Sequence, residues 1–155
     1  MTTYNFFDQG MIKKWNLSSL AWANQQNCFY MVGAEGNVFT ITNEHALPTP
    51  QYKGNIGNWN LKMLTFDKNG NMFGVGADGN MGKWQNGSWS NEYDLGGWVL
   101  EMIAFDHNNT LWAVGANGNV GKWDGYQLQD QGNLDGWSVN WIAFDDQNPG
   151  QILCV

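Results

Sequence analysis

The sequence predicts an all-β fold, a small β-propeller of about four blades, each a three- to four-stranded antiparallel meander. Three observations carry this: a tryptophan-led segment that recurs at regular spacing, a composition suited to short strands and tight turns, and two chain ends that read as parts of one unit. Four segments align without gaps: WNLSSLAW from Trp15, WNLKMLTF from Trp59, WVLEMIAF from Trp98 and WSVNWIAF from Trp137, at spacings of 44, 39 and 39 residues. Self-similarity at such a period marks a repeat architecture.

Each segment reads tryptophan, an apolar residue two positions on, another at five and an aromatic at seven. This is the pattern of a strand whose tail is buried on both faces. A turn follows, Phe66-Asp67-Lys68-Asn69-Gly70 in one repeat and Phe105-Asp106-His107-Asn108-Asn109 in the next. Asp, Asn and Gly suit a tight hairpin because they bond nearby amides or tolerate positive φ. The second strand starts at Cys28, Met72, Leu111 and Ile152. A second turn then recurs nearly unchanged, Gly33 to Asn37, Gly76 to Asn80 and Gly115 to Asn119. The third strand ends at Lys83-Trp84 and Lys122-Trp123, and a more polar fourth segment leads to the next tryptophan. About forty residues in this order match one blade, and a blade cannot bury its own face, so blades must stack around an axis. The first repeat carries five extra residues around His45 and Pro48-Thr49-Pro50, which reads as a loop specific to that blade.

The ends predict how the ring closes. Asp8 to Trp15 resembles Asp130 to Trp137, so the chain opens on the last segment of a blade and stops at Val155, at the end of a second strand. The last blade is expected to take its inner strands from the C-terminus and an outer strand from the N-terminus, which removes an open edge. The whole chain, 1–155, reads as one domain. The last blade lacks a segment matching Asn80–Trp84 and Asn119–Trp123. Tyr4–Phe7 is expected to fill that place. If the chain forms a homodimer, the contact is expected to run edge to edge through this blade, at Phe6 and Phe7.

Ten tryptophans and twenty glycines stand beside three prolines, and only 14% of residues are charged. Seven lysines, no arginine and fourteen acids give a net charge of −7 without a basic cluster, which argues against nucleic acid. No apolar run reaches spanning length, so no membrane insertion is expected. The N-terminus has neither a basic n-region nor a long apolar stretch, which predicts a cytoplasmic protein unless secretion is non-classical. Cys28 and Cys154 sit in apolar strand segments without metal-ligand spacing and read as buried free thiols.

Catalysis needs a nucleophile, a base and an orienting group, or a metal centre. His45 and His107 do not recur, and no zinc, phosphate-loop or nucleophile-elbow motif is present, so no enzymatic activity, cofactor or metal is expected. Asp67, Asp106 and Asp145 recur after the aromatic, but Ala23 breaks the series in the first repeat. Turn capping by these carboxylates is the simpler account than a ring of metal ligands.

The pattern of Trp, apolar strand, Phe-Asp-x-Asn-Gly turn, Leu-Trp-Ala-Val strand and Gly-Asn turn, clearest from Gly97-Trp98 to Val114, resembles the repeats of tachylectin-type and tectonin-type propeller lectins. The resemblance covers nearly the whole chain with short, degenerate elements. It differs in blade number, which is five in tachylectins and about six in tectonins. It implies a non-enzymatic lectin with several equivalent weak sites for N-acetylated or methylated sugars, and glycans or glycoconjugates as partners. A sugar site pairs an aromatic face with amide, carboxylate or backbone groups. Candidates are Trp59, Trp98 and Trp137, Trp84 and Trp123, and the turn amides Asn37, Asn80 and Asn119. The leading tryptophans equally fit a packing wedge between blades, and the Gly-Asn turns fit any hairpin. The alternative function is a protein-docking platform.

Overall fold

The computed structural model describes residues 16–42, 50–91, 95–133, 136, 138–144 and 152–154. The expectations for the N-terminal strand, the insertion at 43–49, Trp15, Trp137, His45 and Asp145 lie outside these residues. Blade 1 comprises β1 (Leu17–Ala23), β2 (Cys28–Gly33), β3 (Val38–Thr42) and β4 (Gln51–Gly54). Blade 2 comprises β5 (Leu61–Phe66), β6 (Met72–Gly76), β7 (Met81–Gln85) and β8 (Ser88–Asn91). Blade 3 comprises β9 (Leu100–Phe105), β10 (Leu111–Gly115), β11 (Val120–Trp123) and β12 (Leu128–Asp130). Blade 4 is described by β13 (Ile142–Phe144) and β14 (Ile152–Cys154). Within each blade the strands pair antiparallel in chain order, a meander, as the repeats predict. A short 3₁₀ turn, Ile56–Asn58, leads into blade 2 and was not legible in the sequence.

A bulge explains the odd spacing of the apolar residues. Positions two and five of the repeat differ by three, which in a regular strand places them on opposite faces. In β5 the register shifts between Leu61 and Met63, and equivalent shifts occur in β1 and between β9 and β10. One extra residue rotates the strand by one step, so Leu61, Leu64 and Phe66 share a face. That face packs on the preceding blade. The fourth position points the other way, toward the next blade.

The core is therefore a series of three junctions built alike. Val32 and Val38 of blade 1 meet Leu61 and Leu64 of blade 2. Val75 and Met81 of blade 2 meet Leu100 and Ile103 of blade 3. Val114 and Val120 of blade 3 meet Val139 and Ile142 of blade 4. An aromatic pair joins each junction: Tyr30 with Phe66 at 5.1 Å between centroids, Phe73 with Phe105 at 5.0 Å, and Trp112 with Phe144 at 5.8 Å. Each such pair adds about 0.5–1.5 kcal/mol beyond its buried area. In two junctions a lysine of the third strand lies over the inner ring, Lys83 on Phe73 and Lys122 on Trp112.

The inner strands are sheet edges, and their free amides find side-chain acceptors on the neighbouring blade. The Ile103 amide donates to Met63 Sδ and the Ile142 amide to Met102 Sδ, each at 3.1 Å, while the Leu64 amide donates to Ser19 Oγ at 3.4 Å. The Gly-Asn turns complete the junctions: the Leu100 amide donates to the Gly79 carbonyl at 2.9 Å, and the Val139 amide to that of Gly118 at 3.2 Å. Cys28 is a buried free thiol, as expected, and burial pushes it up from its ordinary value against the opposing pull of Lys53.

Gly79 adopts φ +79, and a Cβ there would stand 2.5 Å from Val99 Cγ1 and 3.0 Å from the Leu100 nitrogen of the next blade. Gly87 has a similar φ of +83 with open space around it. Left-handed strain of about 1–2 kcal/mol is common to alanine at both sites. Gly79→Ala is expected to lose about 1–3 kcal/mol more from overpacking the junction. Urea unfolding of both variants measures the difference, and equal losses would contradict this account of the turn.

Candidate functional site

Blades 2 and 3 each have two ends. At one, the chain enters the inner strand beside the Gly-Asn turn. At the other lies the first hairpin turn, where Asp67 or Asp106 sits.

The entry end carries two equivalent clefts. In blade 2, Trp59, Asp78, Asn80, Trp89 and Ser90 line a cleft of about 250 Å³. In blade 3, Trp98, Gly96, Gly97, Asn117 and Asp130 line one of about 330 Å³. Each tryptophan lies flat over glycines of its own blade. A Cβ at Gly76 or Gly82 would stand 2.6 or 2.8 Å from the Trp59 ring, and one at Gly115 or Gly121 would stand 2.9 or 3.1 Å from the Trp98 ring. Both rings are half-buried, packed against a junction on one side and open to a cleft on the other.

The structure thus brings Trp59 together with Asn80, and Trp98 with Asn117 and Asp130. Of the other candidates, Asn119 reaches the Trp98 cleft through Asp130 and Trp84 reaches the Trp59 cleft through Trp89, while Asn37 and Trp123 stand apart. Asn37 accepts from the Tyr52 hydroxyl at 3.2 Å. The Asn80 side chain donates to Asp78 at 2.8 Å, and that of Asn119 to Asp130 at 3.0 Å. These three recurring amides therefore have three different partners. Trp84 stacks edge-on against Trp89 at 5.3 Å, and Trp89 in turn contacts Trp59 at 5.1 Å and donates its indole N–H to the Ile56 carbonyl. Trp123 lines a separate cleft of about 320 Å³ with Asp124 and Gly125, between blades 2 and 3 at the hairpin end.

The hairpin end carries a larger hollow, about 420 Å³, that crosses three blades. Its walls are Trp22, Phe66 and Phe105, the seventh-position aromatics of blades 1 to 3, and its rim is formed by Gln25, Lys68 and His107 on the hairpin turns. The turns are tied to one another. Gln25 Nε2 donates to the Asn69 carbonyl at 2.5 Å, and the Lys68 amide to Asn109 Oδ1 at 2.7 Å. The three aromatics align by repeat position, which in the sequence marks only the buried tail of a strand.

The recurring aspartates cap these turns. Asp67 accepts from the Asn69 and Asn71 amides, and Asp106 from those of Asn108 and Thr110. Asp106 also accepts from the Trp112 indole at 3.0 Å. Burial works against its ionised form, but the Trp112, Thr110 and Asn108 donors, helped by His107, hold its carboxyl below the usual range. Among the described residues no cluster of three or more His, Cys, Asp or Glu forms a metal site. No helix among them is long and apolar enough to cross a membrane.

No protein-family model matches the chain, and no curated protein matches it either. Solved structures do match. The chain superposes on YCF48 bound to D1 peptide with a TM-score of 0.68 and 14% identity, over 89% of this chain and 47% of that one. It superposes on the WD40 beta propeller domain of Doa1 with a TM-score of 0.56 and 15% identity, over 89% and 47%. The chain is a β-propeller. Virginiamycin B lyase from Staphylococcus aureus matches with a TM-score of 0.56 and 13% identity, over 83% of this chain and 44% of that one. The propeller thus spans about half the length of the structures it matches, and at these identities they share its fold alone.

Because Asp106 is more acidic folded than unfolded, its contribution to stability is present above the unfolded value of about 4 and is lost as pH falls through the lower folded value. Asp106→Asn leaves the Trp112 N–H facing an amide and is expected to cost about 1–3 kcal/mol at neutral pH. Thermal melts of the two proteins should converge as the pH is lowered. A gap that stays constant into acid would show that the ionised carboxylate is not what holds this turn.

Proposed function

We propose that this propeller is a non-catalytic binding module that docks a polypeptide segment across its hairpin end. The observation that carries this reading is the hollow that spans three blades, walled by Trp22, Phe66 and Phe105 and rimmed by Lys68 and His107. An extended chain makes contacts along its length, and three stitched turns offer it a continuous floor. Aromatic walls supply contact area at low entropic cost, and the exposed polar rim supplies orientation. A solved propeller that superposes well on this chain is one bound to a peptide, which supports the same reading.

Selection from a displayed peptide library with the purified chain is expected to yield binders in the micromolar range, about −8 kcal/mol. Lys68→Glu with His107→Glu alters two exposed rim side chains. It is expected to weaken those binders about tenfold or more, with a small loss of melting temperature because His107 assists the Asp106 carboxylate. Binders unaffected by the double variant would place the docking surface elsewhere.

A second reading rests on one observation, the repetition of the Trp59 and Trp98 clefts. An aromatic wall with carboxylate and amide edges suits a sugar, and two equivalent copies suit a weak multivalent lectin. A glycan array and titration calorimetry with monosaccharides test it. Binding that is lost in Asp78→Ala with Asn117→Ala, while the rim variant retains it, would favour this reading. An empty array would remove it.

A further inference from the structure

We infer, on the strength of the docking reading above, that the segment held across the hairpin end is proline-rich and lies there as a polyproline II helix. Proteins capture peptides in a few recurring ways, and the groups around the hollow discriminate among them. A peptide that adds as a strand needs an open sheet edge alongside it. Here β1, β5 and β9 run into the hollow by their ends, which carry Trp22, Phe66 and Phe105. The edge amides of Leu64 and Ile103 already donate to Ser19 and Met63 of the preceding blade. A terminal carboxylate needs a nest of free amides. In the blade 2 turn the amides of Asp67, Lys68, Asn69 and Gly70 are all engaged, and in the blade 3 turn those of Asp106, Asn108 and Asn109. A terminal amine needs a free carboxylate, and both oxygens of Asp67 and of Asp106 already accept hydrogen bonds. A phosphorylated segment is held by arginine clusters. The chain has no arginine, and Asp67 and Asp106 line the hollow beside Lys68 and His107. One turn of a helix about 10–12 Å across would fill the whole 420 Å³, yet the hollow extends over three blades, which fits a thin extended chain.

A polyproline II segment asks for none of these groups. It has no internal hydrogen bonds, water serves its backbone, and its prolines carry no N–H. It seeks a run of aromatic faces for the prolyl rings and a donor for its outward carbonyls, and its stiffness leaves little entropy to lose on docking. Trp22, Phe66 and Phe105 supply the faces, one from each blade. Trp22 also supplies the donor. Its indole N–H has no acceptor among the described residues, where the ring makes one contact, with Phe29. The indoles of Trp89 and Trp112, in contrast, donate to the Ile56 carbonyl and to Asp106. The seventh repeat position is phenylalanine at Phe66, Phe105 and Phe144, so blade packing is met by a phenyl ring, and the indole N–H of Trp22 is additional to it.

Two displayed peptide libraries of equal length, one with proline fixed at every third position and one without proline, are panned on the full chain. Binders are expected from the first library. A fluorescein-labelled hit is expected to lose about tenfold in affinity, read by anisotropy, when its prolines become alanine. Trp22→Phe installs the ring used in the other blades and removes the donor. It is expected to weaken the hit about fivefold, the worth of one hydrogen bond, with little change in melting. A hit that binds the folded Trp22→Phe protein with unchanged affinity overturns the inference. So does a hit that binds equally well with alanine for proline, a comparison that leaves the protein untouched and holds even if the variant melts early. Binders drawn from the proline-free library alone overturn the proline-rich class and leave the docking reading standing. An absence of binders from both libraries removes the two together.

Discussion

The constraint on which the structure depends is that the inner strand of each blade must be covered by the blade before it. The inner strand carries two aliphatic residues and an aromatic on one face, and its own blade cannot shield them. The preceding blade supplies two aliphatic side chains, an aromatic ring and a side-chain acceptor for an edge amide. These contributions recur residue for residue at the junctions between blades 1 and 2, 2 and 3, and 3 and 4. Stability in such an array accrues by neighbour contacts rather than through one central core. The consequence is visible at the first blade, where the same face lacks a covering partner among the described residues and its leucines stand exposed.

Much of this was legible in the sequence because the repeat forces it. The tryptophan period, the turn residues and the strand order in blades 1 to 3 follow from aligning four segments, and the capping role of Asp67 and Asp106 follows from the turn chemistry. The bulge was not legible as such. The three-residue step from Leu61 to Leu64 reads as burial on both faces, whereas an inserted residue puts both on one face. Nor does a sequence disclose that Met63 and Met102 act as acceptors, since methionine at those positions reads as filler. The 3₁₀ turn Ile56–Asn58 is set by the Trp89 indole and by the left-handed Gly57, not by any local helix signal.

The candidate site was legible in part. Aligning the repeats put Trp59 with Trp98 and Asn80 with Asn119, and the structure places each tryptophan on a cleft. What alignment cannot give is the partner of each amide. Asn37, Asn80 and Asn119 have the same repeat position, yet Tyr52, Asp78 and Asp130 engage them, because the outer strands and turn residues differ between blades.

Resemblance among the repeats follows, on this fold, from packing as readily as from any ligand. The Gly-Asn turns stay nearly identical because the carbonyls of Gly79 and Gly118 accept from an amide of the next blade and the turn must leave that chain room. That packing requirement alone preserves the entry end, with no ligand invoked. The tryptophans there are held by the same logic, packed on glycines where a Cβ would stand 2.6–3.1 Å from the rings. The hairpin end is freer. Phe66 and Phe105 are fixed by the junctions, but the crest residues Gln25, Lys68 and His107 face solvent and differ from blade to blade. A surface with a fixed apolar floor and a variable polar rim discriminates among partners through the rim while the floor supplies affinity. The entry end, whose polar groups are largely spent on one another, has less room to do so.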